Sequence, residues 1–265
     1  MLERVRMRHL PSVICILCTL VSTACTPDEP ESEPRDAGAD TTSAPSCVVS
    51  PDLLYFFDEE RRSIAIGDVT GDGVGETATL QQSEDANILA LGAEASVVMG
   101  DEGYLLGVLD TDMNGDGQLD LILAQPWKSE VAIFLGPIRD TLSWEGADLV
   151  FSAPTNGGLE NRFGLRLVAG TLDEGDSVDL LIAAPAEVEE ACVGQEPPRV
   201  FLGPLEPGRY DREDADLVLD APAMECMGER AECTEGGFEL YGQRDQTCAA
   251  YATPISEAST YEACQ

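Results

Sequence analysis

The chain has 265 residues, with 50 acidic against 15 basic side chains and a formal net charge of −35. So negative a surface repels nucleic acid, and no basic patch offsets it, because Lys128 is the only lysine. The only histidine, His9, lies in a segment read below as a removed export signal. Ser-His-Asp, Cys-His and imidazole-ligated zinc chemistry are thereby excluded from the remainder, and no P-loop, nucleophile elbow or dinucleotide fingerprint occurs.

In chain order, Arg4, Arg6 and Arg8 form a basic start, Val13 to Val21 an apolar run, and Ser22-Thr-Ala24 a small-residue cleavage site. Residues 1–24 are therefore expected to be a signal peptide, its apolar run too short for a stable membrane-spanning helix. Val21-Ser-Thr-Ala-Cys25 also resembles a bacterial lipobox, in which Cys25 becomes the lipidated first residue. Simple secretion is the alternative. Residues 25–46 are rich in Pro and acids and lack apolar periodicity, as expected of a disordered tether behind a lipid anchor. The expected location is the outer membrane or cell surface, with the lipid as the only membrane contact; a secreted or periplasmic protein is the alternative. Beyond the tether, Cys47, Cys192, Cys226, Cys233, Cys248 and Cys264 make an even six, which allows up to three disulfides in an oxidising compartment. The C-terminal cysteines contain no CxxC pair that would favour zinc.

Asp68-Val-Thr70-Gly-Asp72-Gly73-Val74-Gly-Glu76 and Asp112-Met-Asn114-Gly-Asp116-Gly117-Gln118-Leu-Asp120 share one grammar. Oxygen-bearing side chains fall at positions 1, 3, 5 and 9, with Gly at position 6. Alternate side chains then turn inward around one hard cation, the main chain of Val74 or Gln118 joins at position 7, and Gly permits the bend. Two carboxylates ~5 Å apart at an effective dielectric of ~20 repel by roughly 3 kcal/mol, so such a loop calls for a cation. All-oxygen ligands point to calcium. An EF-hand is ruled out by Leu123 at position 12 and by flanks that read as short buried strands, Tyr104 to Asp110 and Asp120 to Gln125. A third copy, Thr171 to Asp179, keeps Asp173, Asp176 and Asp179 but has Thr171 at position 1 and Gly175 at position 5. Weak binding or none is expected there.

A second repeat runs alongside. Val131-Ala-Ile-Phe-Leu-Gly-Pro137 recurs as Val200-Phe-Leu-Gly-Pro204, and Ala147-Asp-Leu-Val recurs as Ala215-Asp-Leu-Val. A unit of this length filled by four short strands is the signature of a propeller blade. Strands are predicted to begin near Tyr104, Asp120, Val131 and Leu149, and again near Gly164, Asp179, Arg199 and Leu217.

Phe163-Gly164, the acidic loop, Leu180-Leu-Ile-Ala-Ala-Pro185 and Val200-Phe-Leu-Gly203 together resemble one FG-GAP repeat of the integrin-α N-terminal β-propeller type. The resemblance spans roughly residues 60–222. It implies an all-β fold, a short or incomplete propeller with calcium in the loop between a blade's first two strands. Here Ala183-Ala-Pro185 replaces the usual Gly-Ala-Pro. The expected organisation is three blades over 47–222 and a Cys-rich divergent fourth blade or cap over 223–265. The segment Pro51 to Phe57 is expected to close that fourth blade. Phe134, Phe151, Phe163 and Phe201, at repeat positions, read as core, and Trp127 and Trp144 as partly buried packing or ligand contacts.

By the resemblance, the expected role is non-catalytic binding or adhesion to an extracellular protein or polysaccharide, with calcium as a structural fastener. A calcium-dependent polysaccharide-active enzyme and a purely structural envelope protein are the alternatives.

Overall fold

The structure, a computed structural model, describes residues 47–50, 54–55, 62–82, 86–93, 95–100, 105–154, 163–184, 196–219, 230–234, 236–241, 248–256 and 262–263. The expectations for residues 1–46, Cys192, Cys226, Cys264 and the side chain of Cys248 lie outside these residues. The described residues are all-β, with twenty strands, two 3₁₀ turns and no α-helix.

Alternation of burial appears where one face is covered. In the first sheet β4 (Thr77–Gln82), β5 (Asn87–Leu91) and β6 (Ala95–Gly100) alternate buried with more exposed positions, and β3 (Ser63–Ala65) lies beside β4. The second sheet is built on β7 (Leu105–Thr111), β8 (Asp120–Gln125), β9 (Glu130–Phe134) and β11 (Leu149–Ser152). Its β8 is buried at all six positions, because sheets lie against both of its faces. Leu121 and Leu123 join a cluster with Leu80 and Leu89 of the first sheet, while Ile122 and Ala124 join one with Leu167 and Ile182 of the third. A strand so placed must be apolar on both sides, which is why 121–124 is a continuous run.

The third sheet repeats the pattern with β12 (Arg166–Gly170), β13 (Asp179–Ala184), β14 (Glu196–Phe201) and β16 (Leu217–Val218), and β13 is again buried throughout. Observed starts lie within three residues of every predicted strand in these two sheets. A fourth, antiparallel sheet holds β17 (Arg230–Thr234), β18 (Gly237–Tyr241), β19 (Cys248–Ala252) and β20 (Glu262–Ala263), and packs Phe238, Leu240 and Tyr251 against Val168, Leu181 and Val200. Phe134, Phe151, Phe163 and Phe201 are at most 2 % exposed, and Trp144 is buried with its Nε1 donating to Glu130 at 2.9 Å. Trp127 is 43 % exposed.

Two features were not expected from the sequence. Short strands cross between sheets: β10 (Thr141–Ser143) runs parallel to β6 of the first sheet, and β15 (Gly208–Asp211) runs parallel to β11 of the second. Each is followed by a 3₁₀ turn and then by the repeated Ala-Asp-Leu-Val. The Asp explains that repeat, since Asp148 accepts the Leu135 N–H at 2.9 Å and Asp216 the Leu202 N–H at 2.8 Å, where the third strand ends.

The N-terminal strands also differ from expectation. Among the described residues the fourth sheet takes no strand from this segment; β2 (Leu54–Tyr55) pairs instead with β7, and β1 (Cys47–Val49) with β12. The physical reason is edge pairing: β7 and β12 are first strands of their sheets with one side open, and the N-terminal strands satisfy those backbone groups. The link to the fourth sheet is covalent, a Cys47–Cys233 disulfide with Cα atoms 5.9 Å apart.

Candidate metal centre: three acidic loops

All three loops join the first and second strands of a sheet: 68–76 between β3 and β4, 112–120 between β7 and β8, and 171–179 between β12 and β13. Gly71, Gly73, Gly115 and Gly117 have φ between 72° and 90°, the left-handed region that lets successive N–H groups point inward.

In the first loop Asp68 takes the Asp72 N–H on Oδ1 at 3.0 Å and the Gly73 N–H on Oδ2 at 2.7 Å. Asp72 accepts the Val74 N–H at 2.8 Å. Glu76, 8 % exposed, accepts the Val69 N–H on Oε2 at 2.9 Å and the Thr70 hydroxyl on Oε1 at 2.5 Å. Asp68, Asp72 and Glu76 thereby present carboxylate oxygens within 4.8 Å of one another, the one such acidic group among the described residues. Oxygens that close can share one cation. Beside them Thr70, Val74, Leu91, Ile138 and Arg139 help line an open cavity of about 480 Å³.

The second loop begins in the same way. Asp112 accepts the Gly115 and Asp116 N–H groups on Oδ1 at 2.7 and 3.1 Å and the Gly117 N–H on Oδ2 at 2.8 Å. Asn114 Oδ1 accepts the Asp116 N–H at 3.0 Å, its amide donates to Asp116 Oδ2 at 3.1 Å, and Asp116 Oδ1 accepts the Gln118 N–H at 2.8 Å. Position 9 is where the loops diverge. Asp120 is fully buried, taking the Met113 N–H on one oxygen and the Gly136 N–H on the other, both at 2.8 Å. Burial raises its pKa above the ordinary carboxylate value, and the bonds from Gly136 and Met113 work against that rise.

In the third loop Asp179 repeats this arrangement. One oxygen accepts the Leu172 and Asp173 N–H groups at 2.8 and 3.0 Å, and the other accepts the Gly203 N–H at 2.8 Å. Burial likewise raises its pKa, opposed by the bonds from Gly203, Leu172 and Asp173. Asp173 accepts the Gly175 N–H at 2.6 Å, while Asp176 is exposed.

Sequence reasoning missed this second task of position 9, which ties the loop to the turn after the third strand. The signal was present in the repeated Leu-Gly-Pro at 135–137 and 202–204. Glycine is required at that turn, because a Cβ on Gly136 would sit 2.2 Å from the Leu119 carbonyl oxygen, and one on Gly203 2.4 Å from that of Val178. The first sheet has no Leu-Gly-Pro, and the carboxylate of its position-9 Glu accepts from Val69 and Thr70 of its own loop. Searched against protein-family models, curated proteins and solved structures, the chain matches none of them.

Proposed function

We propose that this chain is an exported, calcium-binding surface protein of FG-GAP type. Its four sheets are read as consecutive blades of a short, open propeller, anchored through a lipid on Cys25. Calcium sits first in the 68–76 loop, held by Asp68, Asp72 and Glu76 with Thr70 and the Val74 main chain, and second in the 112–120 loop. There it fixes the turns between strands, and the protein binds an extracellular protein or polysaccharide without transforming it. The observation that carries the reading is the convergence of the Asp68, Asp72 and Glu76 oxygens within 4.8 Å in a chain already at −35. Three carboxylates so close are costly in water and favourable around a divalent ion.

Calorimetric titration of the chelator-treated protein with calcium tests this. The tighter of two binding events is expected to vanish in the Asp68→Ala/Asp72→Ala variant while that of the 112–120 loop remains, and saturating calcium is expected to raise the wild-type melting temperature. A hundredfold excess over Kd contributes about 2.7 kcal/mol. A wild-type protein that takes up no calcium, with a melting curve identical in chelator, sinks the proposal. For the anchor, mass spectrometry of the exported N-terminus is expected to find diacylglycerol on Cys25; an unmodified cysteine there leaves a secreted protein.

A further inference from the structure

The first and fourth sheets each pack one face inward, and their outward faces have opposite chemistry. Strands β3, β4, β5, β6 and β10 of the first sheet contain no ionisable residue, in a chain with 65 charged side chains at neutral pH, 50 acidic and 15 basic. The outward face of the fourth sheet carries Glu232 and Glu239, both bonded to the Tyr241 hydroxyl.

Register brings Ser63, Thr79, Ala90, Ser96 and Thr141 into one row straight across the first sheet. Ile88 and Val98 form a half-buried apolar pair beside it. The row's hydroxyls satisfy one another, Ser63 with Thr79 at 2.9 Å and Ser96 with Thr141 at 3.0 Å. Covering this row therefore breaks no hydroxyl pairing; Thr77 and Gln81 lie on the same side of β4, and the Lys128 ammonium beside the end of β6 is held by the Met99 carbonyl at 3.3 Å.

We propose that this outward face is a self-association surface on which the same face of a second copy docks. Electrostatics selects the occupant. Two copies of a chain at −35 repel over most of their surface, and among the described residues the strands of the first sheet offer a face on which no carboxylate stands. Geometry agrees, because a sheet face of small and β-branched side chains stacks on its like at the ~10 Å spacing of packed sheets. Area sets the strength. Five strands ~4.8 Å apart and about five residues long present a face of roughly 400 Å². That is half of the ~800 Å² per partner in a standard interface, so the dimer is weak and concentration dependent. Screening like charges by salt strengthens it. The inference does not depend on the metal reading, and its test keeps calcium constant.

Sedimentation velocity of the protein carrying Cys25→Ser, which can hold no lipid, so adds no micelle mass, and stands as wild type here, reads the outcome directly in ~0.15 M salt. Wild type is expected to rise toward twice the monomer mass across a hundredfold concentration series. Ala90→Glu, which sets two carboxylates face to face, is expected to weaken the dimer at least tenfold with an unchanged circular dichroism spectrum. Glu239→Gln on the fourth sheet is expected to behave as wild type. If Ala90→Glu does not fold, Ser143→Asp on the exposed outermost strand takes its place and is expected to weaken the dimer in the same direction. A wild-type protein that stays monomeric throughout the series overturns the proposal. So does a dimer that folded Ala90→Glu or Ser143→Asp leaves intact.

Discussion

The loops at 68–76 and 112–120 have nearly the same spelling, yet their last acids do different things. Glu76 keeps both oxygens inside its own loop, on Val69 N–H and the Thr70 hydroxyl, and converges with Asp68 and Asp72. Asp120 is one methylene shorter and spans two turns, Met113 on one side and Gly136 on the other. The comparison teaches that a loop grammar read as a list of ligands mixes two functions. One is gathering charge around a cation, and the other is satisfying backbone donors at a buried junction.

The largest effect expected from breaking the comparison is at Asp120. Asp120→Ala strands the buried Met113 N–H at ~1–3 kcal/mol and frees the part-buried Gly136 N–H at a smaller cost, so urea unfolding is expected to show a loss of about 2–4 kcal/mol. The loss is expected to be the same in calcium and in chelator. A loss that appears only in calcium would make Asp120 a ligand before it is a junction. Next in size is Asp68→Ala, which is expected to erase the first loop's share of the calcium-dependent rise in melting temperature while costing the chelator-treated protein about 1 kcal/mol, since the half-buried Asp68 accepts the solvent-accessible Asp72 and Gly73 N–H groups. Smallest is Glu76→Asp, which withdraws the carboxylate by one methylene. Calcium affinity at the first loop is expected to fall about tenfold, ~1.4 kcal/mol, with apo stability nearly unchanged. If Glu76→Asp binds calcium as tightly as wild type, the length of the position-9 side chain is not what separates the two loops.

Much of the fold was legible because its signals are local. Acid-Gly loops, the apolar runs 121–124 and 180–183, and Leu-Gly-Pro each fix a strand end within a few residues, so the strands of the second and third sheets fell where expected. What escaped depends on distant partners. Thr141–Ser143 and Gly208–Asp211 lack a hydrophobic pattern of their own, and only pairing with β6 and β11 makes them strands. Leu54–Tyr55 looked like a closing strand for the C-terminal sheet, yet the open edge of β7 takes it. Within the site, the positions of Asp68, Asp72 and Glu76 followed from spacing alone. The bond from Gly136 to Asp120 did not, because nothing in a nine-residue motif records a partner 16 residues downstream.

The parallel crossings of β10 and β15 put sheet and sequence repeat out of phase. A cut made where one sheet ends does not separate two modules, since the segment that finishes the first sheet is threaded between the third and fourth strands of the second. Ending the chain after residue 140 would remove not only β11 but also the edge of a sheet whose own four strands remain intact. Excising the span from 141 to 207 would instead bring β15 to the place of β10 and keep the threading in step. Gain or loss of a whole unit in this architecture must thus preserve that offset, and its modularity is that of overlapping shingles, not of beads on a string.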